Sequence, residues 1–317
     1  PMTSLNHTMV KQGLKKIKNS SREAFKLLNQ PIQKEILVSD DVGFTIAPKI
    51  NSAGRMDDAS LALDFLLSKC QNSAYESLAV LDELNNYRKI LQEEISNKAE
   101  KQIKSGDKAV VVWGEEWHEG VIGIVASKLS HKFKKPAFIF SINNGIAKGS
   151  ARANSEISLY DLITKASHLL IGFGGHKNAA GLSLEACNLE SFKGIINNEL
   201  SQVNENLHNE YVTLGELDVS NVDLEFISII EEFEPYGLEN ERPIFKVSNA
   251  KLIKTDLIGK DKNHLKLTLN SDGFIFEALK FYDNNTNLEQ NLDLIISISK
   301  NEFRGLVTPS FLIQEIL

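Results

Sequence analysis

The sequence predicts an α/β protein with a helical first part, a long charged helix, an α/β part and a C-terminal β-barrel. Three observations support this prediction. Residues 73–105 contain neither Pro nor Gly and follow a helical pattern with heavily charged outer positions. After Gly106 the apolar pattern changes to strand, helix, strand, which is typical of a parallel β-α-β unit. Beyond residue 208, short β-rich runs separated by turn residues favour a small barrel.

The bulk composition is that of an ordinary globular protein. The 317 residues are enough for two or three domains, and 42% of them are hydrophobic and 24% charged. No apolar run is long enough to span a bilayer, so we expect no membrane association. Cys70 and Cys187 lie far apart without metal-ligand spacing, which indicates a reducing, cytoplasmic location. The chain begins with Pro1-Met2, which suggests a piece of a longer protein.

Charge is distributed unevenly along the chain. The formal net charge of −7 argues against binding nucleic acid by bulk charge. Residues 1–37, however, hold seven Lys and Arg against two Glu, and residues 128–152 hold five Lys and one Arg without an acid. Such a stretch is either a phosphate-binding surface or a solvated face, and the sequence leaves both interpretations open.

The first part is predicted to be helical with one irregular interruption. Amphipathic spacing predicts helices over 7–19 and 22–30, and Pro31 ends the second. Residues 42–60 look irregular, and a helix follows over 59–69. We interpret 73–105 as a spacer helix that connects two domains.

The elements of the two later parts follow from their apolar runs and turn residues. Between residues 106 and 204 the predicted order is strand 108–113, helix 119–133, strand 136–141, turn 142–145, strand 146–152, helix 158–170, a glycine-rich segment, and helix 188–204. In the barrel part the predicted strands are 211–219, 244–259, 264–271, 274–281 and 293–303, with a helix over 222–233.

The glycine-rich segment 172-GFGGHKNAAGLS-183 surrounds a single histidine. Gly174 and Gly175 allow close approach of a ligand to the backbone, and with His176 they could present N–H groups and an imidazole to an anion. The alternative is a tight turn with a structural histidine. The segment alone leaves the two interpretations open.

The segment 148-KGSARA-153 ends a predicted strand with two cations and a hydroxyl. The planar guanidinium of Arg152 suits phosphate oxygens, and Ser150 offers a hydrogen bond beside it. The alternative, an edge strand with ordinary surface charge, applies best to Lys148.

The segment 48-PKINSAGRMDDA-59 places Asn51 and Arg55 in a predicted loop before a helix, where anions are favoured. One of Asp57 and Asp58 is expected to cap that helix. Adjacent acids point in different directions and no His lies nearby, so neither this pair nor the pair at positions 40 and 41 is interpreted as a set of metal ligands.

In 113-WGEEWHEGVIGIVASKL-129, His118 and Glu119 begin a helix that directly follows a strand, a frequent position for functional residues in α/β units. Trp117 is either a base-stacking residue or part of the core. The sequence contains no G-x-S-x-G segment and no Walker or dinucleotide glycine pattern.

These motifs, in this order, resemble the signatures of the RecJ family of single-strand-specific 5′→3′ DNA exonucleases, within the DHH phosphoesterase superfamily. The resemblance covers the chain to about residue 310, and 234-EPYGLENERPIF-245 is similar to a family turn that usually has Phe where this chain has Tyr236. The matching segments are 46-IAPKINSAGRMDDA-59, 117-WHEGVIGIVASKL-129, 147-AKGSARA-153 and 173-FGGHKNAAGL-182.

The resemblance implies four domains. Residues 1–72 would be the C-terminal part of a DHH domain, and 73–105 the spacer helix. Residues 106–205 would be the DHH-associated substrate-binding domain with a mixed sheet, and 206–317 an OB-type barrel.

The resemblance also implies an activity for the complete protein: hydrolysis of single-stranded DNA in repair and recombination by a two-metal centre that uses Mn²⁺ or Mg²⁺. The metal ligands of the family belong to Asp and His signatures that this sequence lacks. No metal ligand is therefore assigned here, and the chain alone is expected to be inactive. The expected partner is single-stranded DNA, and a single-stranded-DNA-binding protein or a helicase is a candidate protein partner.

Three positions are implied to hold the substrate backbone. Arg55 corresponds to the family arginine that contributes to holding the 5′ phosphate. Ser150 and Arg152 correspond to a Ser-x-Arg contact with the strand.

Five further positions belong to the implied site. Gly174, Gly175 and His176 correspond to a Gly-Gly-His loop beside the scissile phosphate, and His176 is predicted to be catalytic. Asn51 and His118 lie in matching segments and are predicted substrate contacts, without a role that the resemblance assigns to His118.

Two other functions stay open at this point. The chain could be a DHH-derived module that has lost catalysis and binds single-stranded nucleic acid, or a phosphodiesterase of short oligonucleotides or cyclic dinucleotides. The long helix and the barrel favour the exonuclease over the phosphodiesterase, whereas the binding module stays open. In the barrel, the aromatic residues Phe274, Phe276, Phe281 and Tyr282 are either base-stacking or core residues.

Overall fold

The computed structural model describes residues 1–32, 34–153, 157–202, 211–259, 262–281, 283, 285–303 and 305–317. Contacts group the chain into two compact units. One comprises Pro1–Asn19, Ile36–Ser39 and Glu210–Leu317, and the other Ser20–Glu35 and Asp40–Asn209. We call them the barrel unit and the sheet unit. The four-domain division stays a prediction.

The helices are α1 (Ser4–Lys18), α2 (Glu23–Asn29), α3 (Ser39–Asp41), α4 (Ala47–Met56), α5 (Ser60–Leu67), α6 (Gln71–Glu100), α7 (Glu119–Phe133), α8 (Leu159–Thr164), α9 (Leu189–Ser201) and α10 (Leu224–Glu232). The strands are β1 (Val110–Glu115), β2 (Ala137–Asn143), β3 (Ile146–Arg152), β4 (Leu170–Gly175), β5 (Ala179–Glu185), β6 (Ile244–Ile258), β7 (His264–Ser271), β8 (Phe274–Lys280), β9 (Asn291–Phe303) and β10 (Leu306–Ile316).

The prediction of an irregular stretch over 42–60 was wrong. Val42–Ile46 form a π-helical turn and α4 continues to Met56, with Pro48 in its first turn, where the missing N–H costs nothing. The segment has weak helix formers, but its buried Ser52 donates to the carbonyl of Leu81 in α6 at 3.2 Å. Packing against α6 therefore overrides the weak propensity, and Asn51 and Arg55 are helical residues.

The long helix predicted over 73–105 is α6, which ends at Glu100. Its inward positions recur every three or four residues, and several of them are fully buried. One stretch of the helix packs on α2, α4 and α5, and it also contacts α7 and β1. These contacts place α6 within the sheet unit; its role as a spacer stays a prediction.

A mixed five-stranded sheet, as predicted, forms the centre of the sheet unit, in the order β1-β2-β3-β5-β4. Only β1 and β2 are parallel, and the other neighbours are antiparallel. Helix α7 covers one face with Val121 and Val125. On the other face Phe192 of α9 meets the rings of Phe138 and Phe140 edge-on, at centroid distances of 5.5 and 5.7 Å. The sheet is thus buried on both sides over β1 and β2.

The helix predicted over 158–170 is shorter than expected. Helix α8 ends at Thr164, a 3₁₀ turn follows over Ser167–Leu169, and Leu170 already begins β4. Pairing of β4 with β5 decides this boundary, and such a long-range contact has no local sequence signal.

A closed five-stranded barrel dominates the barrel unit, in the order β10-β8-β7-β6-β9, and confirms the predicted OB-type fold. Two details were wrong. Residues 211–219 form no strand; Leu214, Gly215 and Leu217 hydrogen-bond to the start of β6, and Tyr211 donates to Glu315 of β10. The strand that closes the barrel, β10, was not predicted; Pro309 interrupts its strand pattern, and antiparallel pairing with β9 forms it nonetheless.

Within the described residues, no helix is both long and apolar enough to cross a membrane.

Candidate functional site

Strand β3 divides its side chains between two faces of the sheet. Ala147 and Ala151 are buried in the core shared with α8 and α9. Because strand side chains alternate, Lys148, Ser150 and Arg152 lie on the opposite face, where α7 packs. The 148-KGSAR-152 motif thus lies along one edge of α7.

The guanidinium of Arg152 is held in place by β3 itself. Its Nη1 donates to Ser150 Oγ at 3.0 Å and to the carbonyl of Ala151 at 2.8 Å. Burial lowers the pKa of Arg152, and the positive charge of Arg55 lowers it further. An arginine stays protonated at neutral pH, so the lowered pKa reports a cation in a partly buried, positive environment.

Arg55 reaches this environment from the last turn of α4. Its Nη1 donates to the carbonyl of Gly120 in the first turn of α7 at 3.1 Å. The two backbones touch here: a Cβ on Gly120 would lie 2.1 Å from the carbonyl oxygen of Arg55. Only glycine fits such an approach, so Gly120 allows α4 to bring Arg55 beside α7.

Arg88 is a third cation of the site, and sequence reasoning missed it. It lies on α6, donating from Nε to Asn85 Oδ1 at 3.1 Å and from Nη1 to Gln92 Oε1 at 2.8 Å. Burial lowers its pKa, and the charge of Arg55 adds to the effect.

A signal for Arg88 was present in the sequence. Three consecutive inward positions of α6 are polar, in a helix face that is otherwise apolar. The positions of that face are Ala74, Leu78, Leu81, Asn85, Arg88, Gln92, Ile95 and Ala99.

Arg55, Arg88 and Arg152, which we call the arginine cluster, form a centre of positive charge. In the described part of the chain none of the three guanidinium groups pairs with a carboxylate, and burial followed by the charge of Arg55 lowers the pKa of Arg88 and of Arg152. Partly buried cations without a counter-charge favour an anion, and guanidinium groups match phosphate oxygens in geometry. The arginine cluster can therefore bind a phosphate group.

The glycine-rich segment forms a β-hairpin. Gly174 and Gly175 belong to β4, and His176 lies in the turn that joins β4 to β5. A Cβ on Gly175 would be 2.4 Å from the carbonyl oxygen of Ala179, so the turn requires glycine there, whereas the face of Gly174 is open. Gly175 therefore allows the two strands to approach closely, and Gly174 leaves the exposed face of the hairpin free of a side chain.

The His176 turn is attached to the end of β3. The carbonyl of Asn178 accepts from the N–H of Ala153 at 3.1 Å, and Arg152 pairs with Ala179 across the sheet. The imidazole of His176 is exposed, and no described hydrogen bond links it to the arginine cluster. The structure thus brings His176 to the same end of β3 as Arg152.

His118 has a structural task in the site. It is the N-cap of α7, and its Nδ1 accepts from the N–H of Gly120 at 3.1 Å. Since the carbonyl of Gly120 accepts from Arg55, His118 supports the residue that positions Arg55. Asn51 is exposed one turn before Arg55 on α4 and shares its face.

Two further sequence interpretations are settled. Asp58 accepts from the N–H of Ser60 at 2.8 Å at the start of α5, and this hydrogen bond lowers the pKa of Asp58; Asp58 thus binds the first turn from the position before the N-cap, which is Ala59. Trp117 is buried in the core beneath α7, which agrees with its interpretation as a core residue and not with base stacking.

A cavity of about 430 Å³ adjoins Ser150 on the α7 face of the sheet. Its walls include Ile122 of α7, and its floor is formed by the backbone and small residues of β4 and β5. At its rim, Lys148 Nζ and Glu119 Oε2 form an ion pair of 3.2 Å.

The barrel separates the candidate stacking residues. Phe276 is buried and meets the ring of Phe311 edge-on, so it belongs to the core. Phe274 and Phe281 are 40% and 49% exposed and stay available to a ligand. Tyr282 lies outside the described residues.

Among the described residues, no three His, Cys, Asp or Glu side chains are grouped as metal ligands. The described site offers mainly guanidinium, ammonium and hydroxyl groups, which bind anions, and its Glu119, His118 and His176 are not grouped as ligands. This set of groups does not fit a divalent metal ion.

Comparisons with known sequences agree with this architecture. The sequence model of the DHHA1 domain matches residues 106–202, and that of the RecJ OB domain matches residues 215–315. The mixed sheet followed by the closed barrel, with these two matches, defines a protein of the DHH superfamily. Within that superfamily the chain is a RecJ-type protein, to judge by its relatives.

The single-stranded-DNA-specific exonuclease RecJ of Bacillus subtilis is 28% identical over 332 residues, covering 99% of this chain and 42% of that protein. Its namesake from Haemophilus influenzae is 30% identical, covering 96% of this chain and 57% of that protein. A crystal structure of RecJ in complex with Mn²⁺ from Thermus thermophilus matches with a TM-score of 0.83 and 27% identity, covering 100% of this chain and 47% of that one. The chain thus spans about half the length of these relatives.

Proposed function

We propose that this chain is the substrate-binding part of a single-stranded-DNA-specific 5′→3′ exonuclease that acts in DNA repair and recombination. The observation that carries the proposal is the arginine cluster, in which Arg88 and Arg152 are partly buried, Arg55 is exposed, and none has a described carboxylate partner. The names of the relatives, single-stranded-DNA-specific exonucleases, support the substrate.

In this proposal a phosphate of the strand lies among Arg55, Arg88 and Arg152. Arg152 is already aligned by Ser150 and the backbone of Ala151, so little side-chain freedom is lost on binding. The partial burial of Arg88 and Arg152 strengthens the charge-assisted hydrogen bonds that these two residues would donate. The same groups would stabilise the extra negative charge of a phosphoryl transition state.

His176 and the β4–β5 turn would approach the phosphate from the end of β3. The exposed imidazole can donate a hydrogen bond or a proton to a leaving oxygen, which is the catalytic role that we assign to it. Gly174 and Gly175 keep the approach free of side chains, and Asn51 would contact the strand one helical turn from Arg55.

The barrel would add affinity for the strand by stacking bases on Phe274 and Phe281. Candidate protein partners are a single-stranded-DNA-binding protein and a helicase, and the proposed location is the cytoplasm. Residues 1–72, 73–105, 106–205 and 206–317 would serve as the DHH part, spacer, DHH-associated domain and OB domain.

Hydrolysis would use two divalent metal ions, which activate a water molecule and stabilise the phosphate. RecJ structures with Mg²⁺ and with Mn²⁺ support the choice of metal. Because the described residues group no ligands, we propose that the ligands belong to the part of the relatives that this chain does not match.

Binding and cleavage test different halves of the proposal. The chain should bind 5′-phosphorylated single-stranded DNA, and Arg152→Ala should weaken binding about tenfold, because a charge-assisted contact in a desolvated site is lost. Fluorescence anisotropy measures this. A substitution at Lys132, which pairs with Glu100 away from the site, is the control. If Arg152→Ala binds the 5′-phosphorylated strand as tightly as the unaltered chain, the proposed binding of phosphate by the arginine cluster is wrong.

For cleavage, the chain is incubated with labelled single-stranded DNA and Mn²⁺, alone and together with a segment that corresponds to the part of the relatives this chain does not match. We expect product only in the second case. Metal-dependent cleavage by the chain alone would refute the assignment of the ligands. No cleavage in either case, with binding intact, would favour the second candidate, a binding module without catalysis, which the absence of grouped metal ligands among the described residues also favours.

A further inference from the structure

Lys148 extends the phosphate-binding face of β3 by one step. Arg152, Ser150 and Lys148 follow each other at every second residue, about 6.7 Å apart along the strand. Ser150 contacts the guanidinium of Arg152 on one side and lines the 430 Å³ cavity on the other, and Lys148 lines the same cavity. A strand with one phosphate in the arginine cluster can therefore continue along β3 towards Lys148.

The cavity can receive the nucleotide between those two points. Its volume lies in the range of small-ligand sites. Three residues of its floor, Gly172, Gly181 and Ser183, carry no side chain or a short one, and Ile122 of α7 supplies an apolar wall. These surfaces suit a sugar and a base of any identity, as a nuclease without sequence preference requires.

In the protein without substrate, Lys148 is held by Glu119. The ion pair spans 3.2 Å, and the two side chains are 60% and 44% exposed, so solvent screens it strongly and it contributes little to stability. Glu119 also lies in the first turn of the 15-residue helix α7, whose N-terminus favours a negative charge. The helix N-terminus thus still stabilises the carboxylate of Glu119 after Lys148 has moved to a phosphate, so breaking the ion pair costs little free energy.

We propose that Lys148 binds the phosphate next to the one in the arginine cluster, and that Glu119 holds Lys148 until that second phosphate arrives. This inference rests on the proposed function, because it takes the arginine cluster as the first phosphate site. A ligand with a single phosphate gains nothing from Lys148, since Glu119 keeps it neutralised. A continuing strand displaces Glu119 and gains a second contact. The pair therefore discriminates a strand from a released mononucleotide.

Oligonucleotides with one uncharged linkage test directly whether Lys148 contacts one particular phosphate. The probes are short 5′-phosphorylated oligonucleotides that carry one methylphosphonate, which is uncharged, at successive positions from the 5′ end. Their dissociation constants are measured at low salt for the chain and for Lys148→Met. At one linkage, the methylphosphonate should weaken binding to the unaltered chain about tenfold. The same methylphosphonate should not change binding to Lys148→Met, because the phosphate charge that it removes has no lysine to contact in that variant.

Three variants isolate the role of Glu119. Glu119→Gln should tighten binding of the fully charged oligonucleotide about threefold and leave a 5′-mononucleotide unchanged. The double variant Glu119→Gln/Lys148→Met should match Lys148→Met, because Glu119 acts only through Lys148. Lys132→Met removes a comparable ion pair, 2.7 Å from Glu100 at the opposite end of α7, and should behave as the unaltered chain.

The proposal fails if no linkage position is coupled to Lys148, or if Lys148→Met and Lys132→Met respond alike. It also fails if Glu119→Gln tightens the mononucleotide as much as the oligonucleotide. Failure of the proposed function has a different signature: Arg152→Ala would then leave the advantage of a 5′ phosphate over a 5′ hydroxyl unchanged. Thermal melting confirms that each variant is folded, which the exposure of both side chains leads us to expect.

Discussion

Gly120 is the residue on which the position of Arg55 depends most directly. It accepts a hydrogen bond from Arg55, donates one to His118, and lies in backbone contact with α4. Gly120→Ala should lower the free energy of unfolding by about 1–3 kcal/mol, because the methyl group forces α4 and α7 apart. It should also weaken binding of a 5′-phosphorylated strand, because Arg55 moves with α4.

Gly194 provides the matched control for this substitution. It also lies in a helix of the sheet unit, α9, but a Cβ there would meet no atom within 4 Å. Gly194→Ala should stabilise the protein by about 1 kcal/mol, the difference in helix propensity, and leave binding unchanged. Chemical denaturation measures both variants, and a Gly120→Ala protein as stable as Gly194→Ala would contradict the close contact.

Residue by residue, the sequence indicated the site through groups that are close along the chain. Ser150 and Arg152 stand two apart in a strand, so their shared face was readable from alternation. Arg88 lies 33 positions beyond Arg55 in the sequence, and only the packing of α6 on α4 brings the two together. The polar residues next to Arg88 on the buried face of α6 indicate a functional position, but they do not indicate that Arg88 lies near Arg55.

At the scale of elements, an ion pair links the start of β1 to α9. Lys193 Nζ contacts Asp107 Oδ2 at 2.9 Å, and both side chains are 15% exposed. Burial raises the pKa of Asp107, but the hydrogen bonds from Lys193 and from the N–H of Lys104, with the charges of both lysines, outweigh it and lower the pKa overall.

The lowered pKa makes this pair sensitive to acid. The folded pKa lies below that of the unfolded chain, about 3.9, so the stabilisation is complete above that pH and is lost as the pH falls through the folded value. Asp107→Asn should therefore reduce the loss of unfolding free energy on acidification below pH ~4. Denaturation at neutral and acidic pH measures this, and an unchanged acid dependence would contradict the pair.

At neutral pH the same pair should contribute measurably. Lys193→Met should lower the free energy of unfolding by about 1–3 kcal/mol, since it leaves the largely buried carboxylate of Asp107 without its charged donor. Lys132→Met, which removes the more exposed pair with Glu100, should cost less than about 1 kcal/mol.

Elements with a strong local pattern were predictable, and elements made by pairing were not. Helix α7 and strands β3 and β7 have the predicted bounds, because apolar spacing and flanking turns define them. Strand β4 contains three glycines and β10 contains Pro309, and both form because a neighbouring strand supplies hydrogen bonds. Helix α4 similarly needs α6. The fold class follows from the local patterns, whereas the hairpin of His176 and the closure of the barrel do not.

At the scale of the whole molecule, a chain with a net charge of −7 is proposed to bind a polyanion. Local cations must then produce the affinity, and their number sets its dependence on salt. If the arginine cluster binds one phosphate and Lys148 the next, the slope of log K against log salt concentration for a single strand should be about −1.4, from about 0.7 for each of the two phosphates.

Stacking on the barrel should be separable from this electrostatic part. Phe281→Ala should weaken binding of a long strand by about 1–3 kcal/mol without changing the salt slope, because stacking on an aromatic ring releases no counterions. Arg152→Ala should instead make the slope less steep by about 0.7. Tyr75→Ala, at an exposed aromatic residue of α6, is the control and should change neither. Anisotropy titrations over a series of salt concentrations give both quantities. A Phe281→Ala protein whose affinity is unchanged would confine strand binding to the sheet unit, whereas one with an altered slope would show that the barrel binds phosphates and not bases.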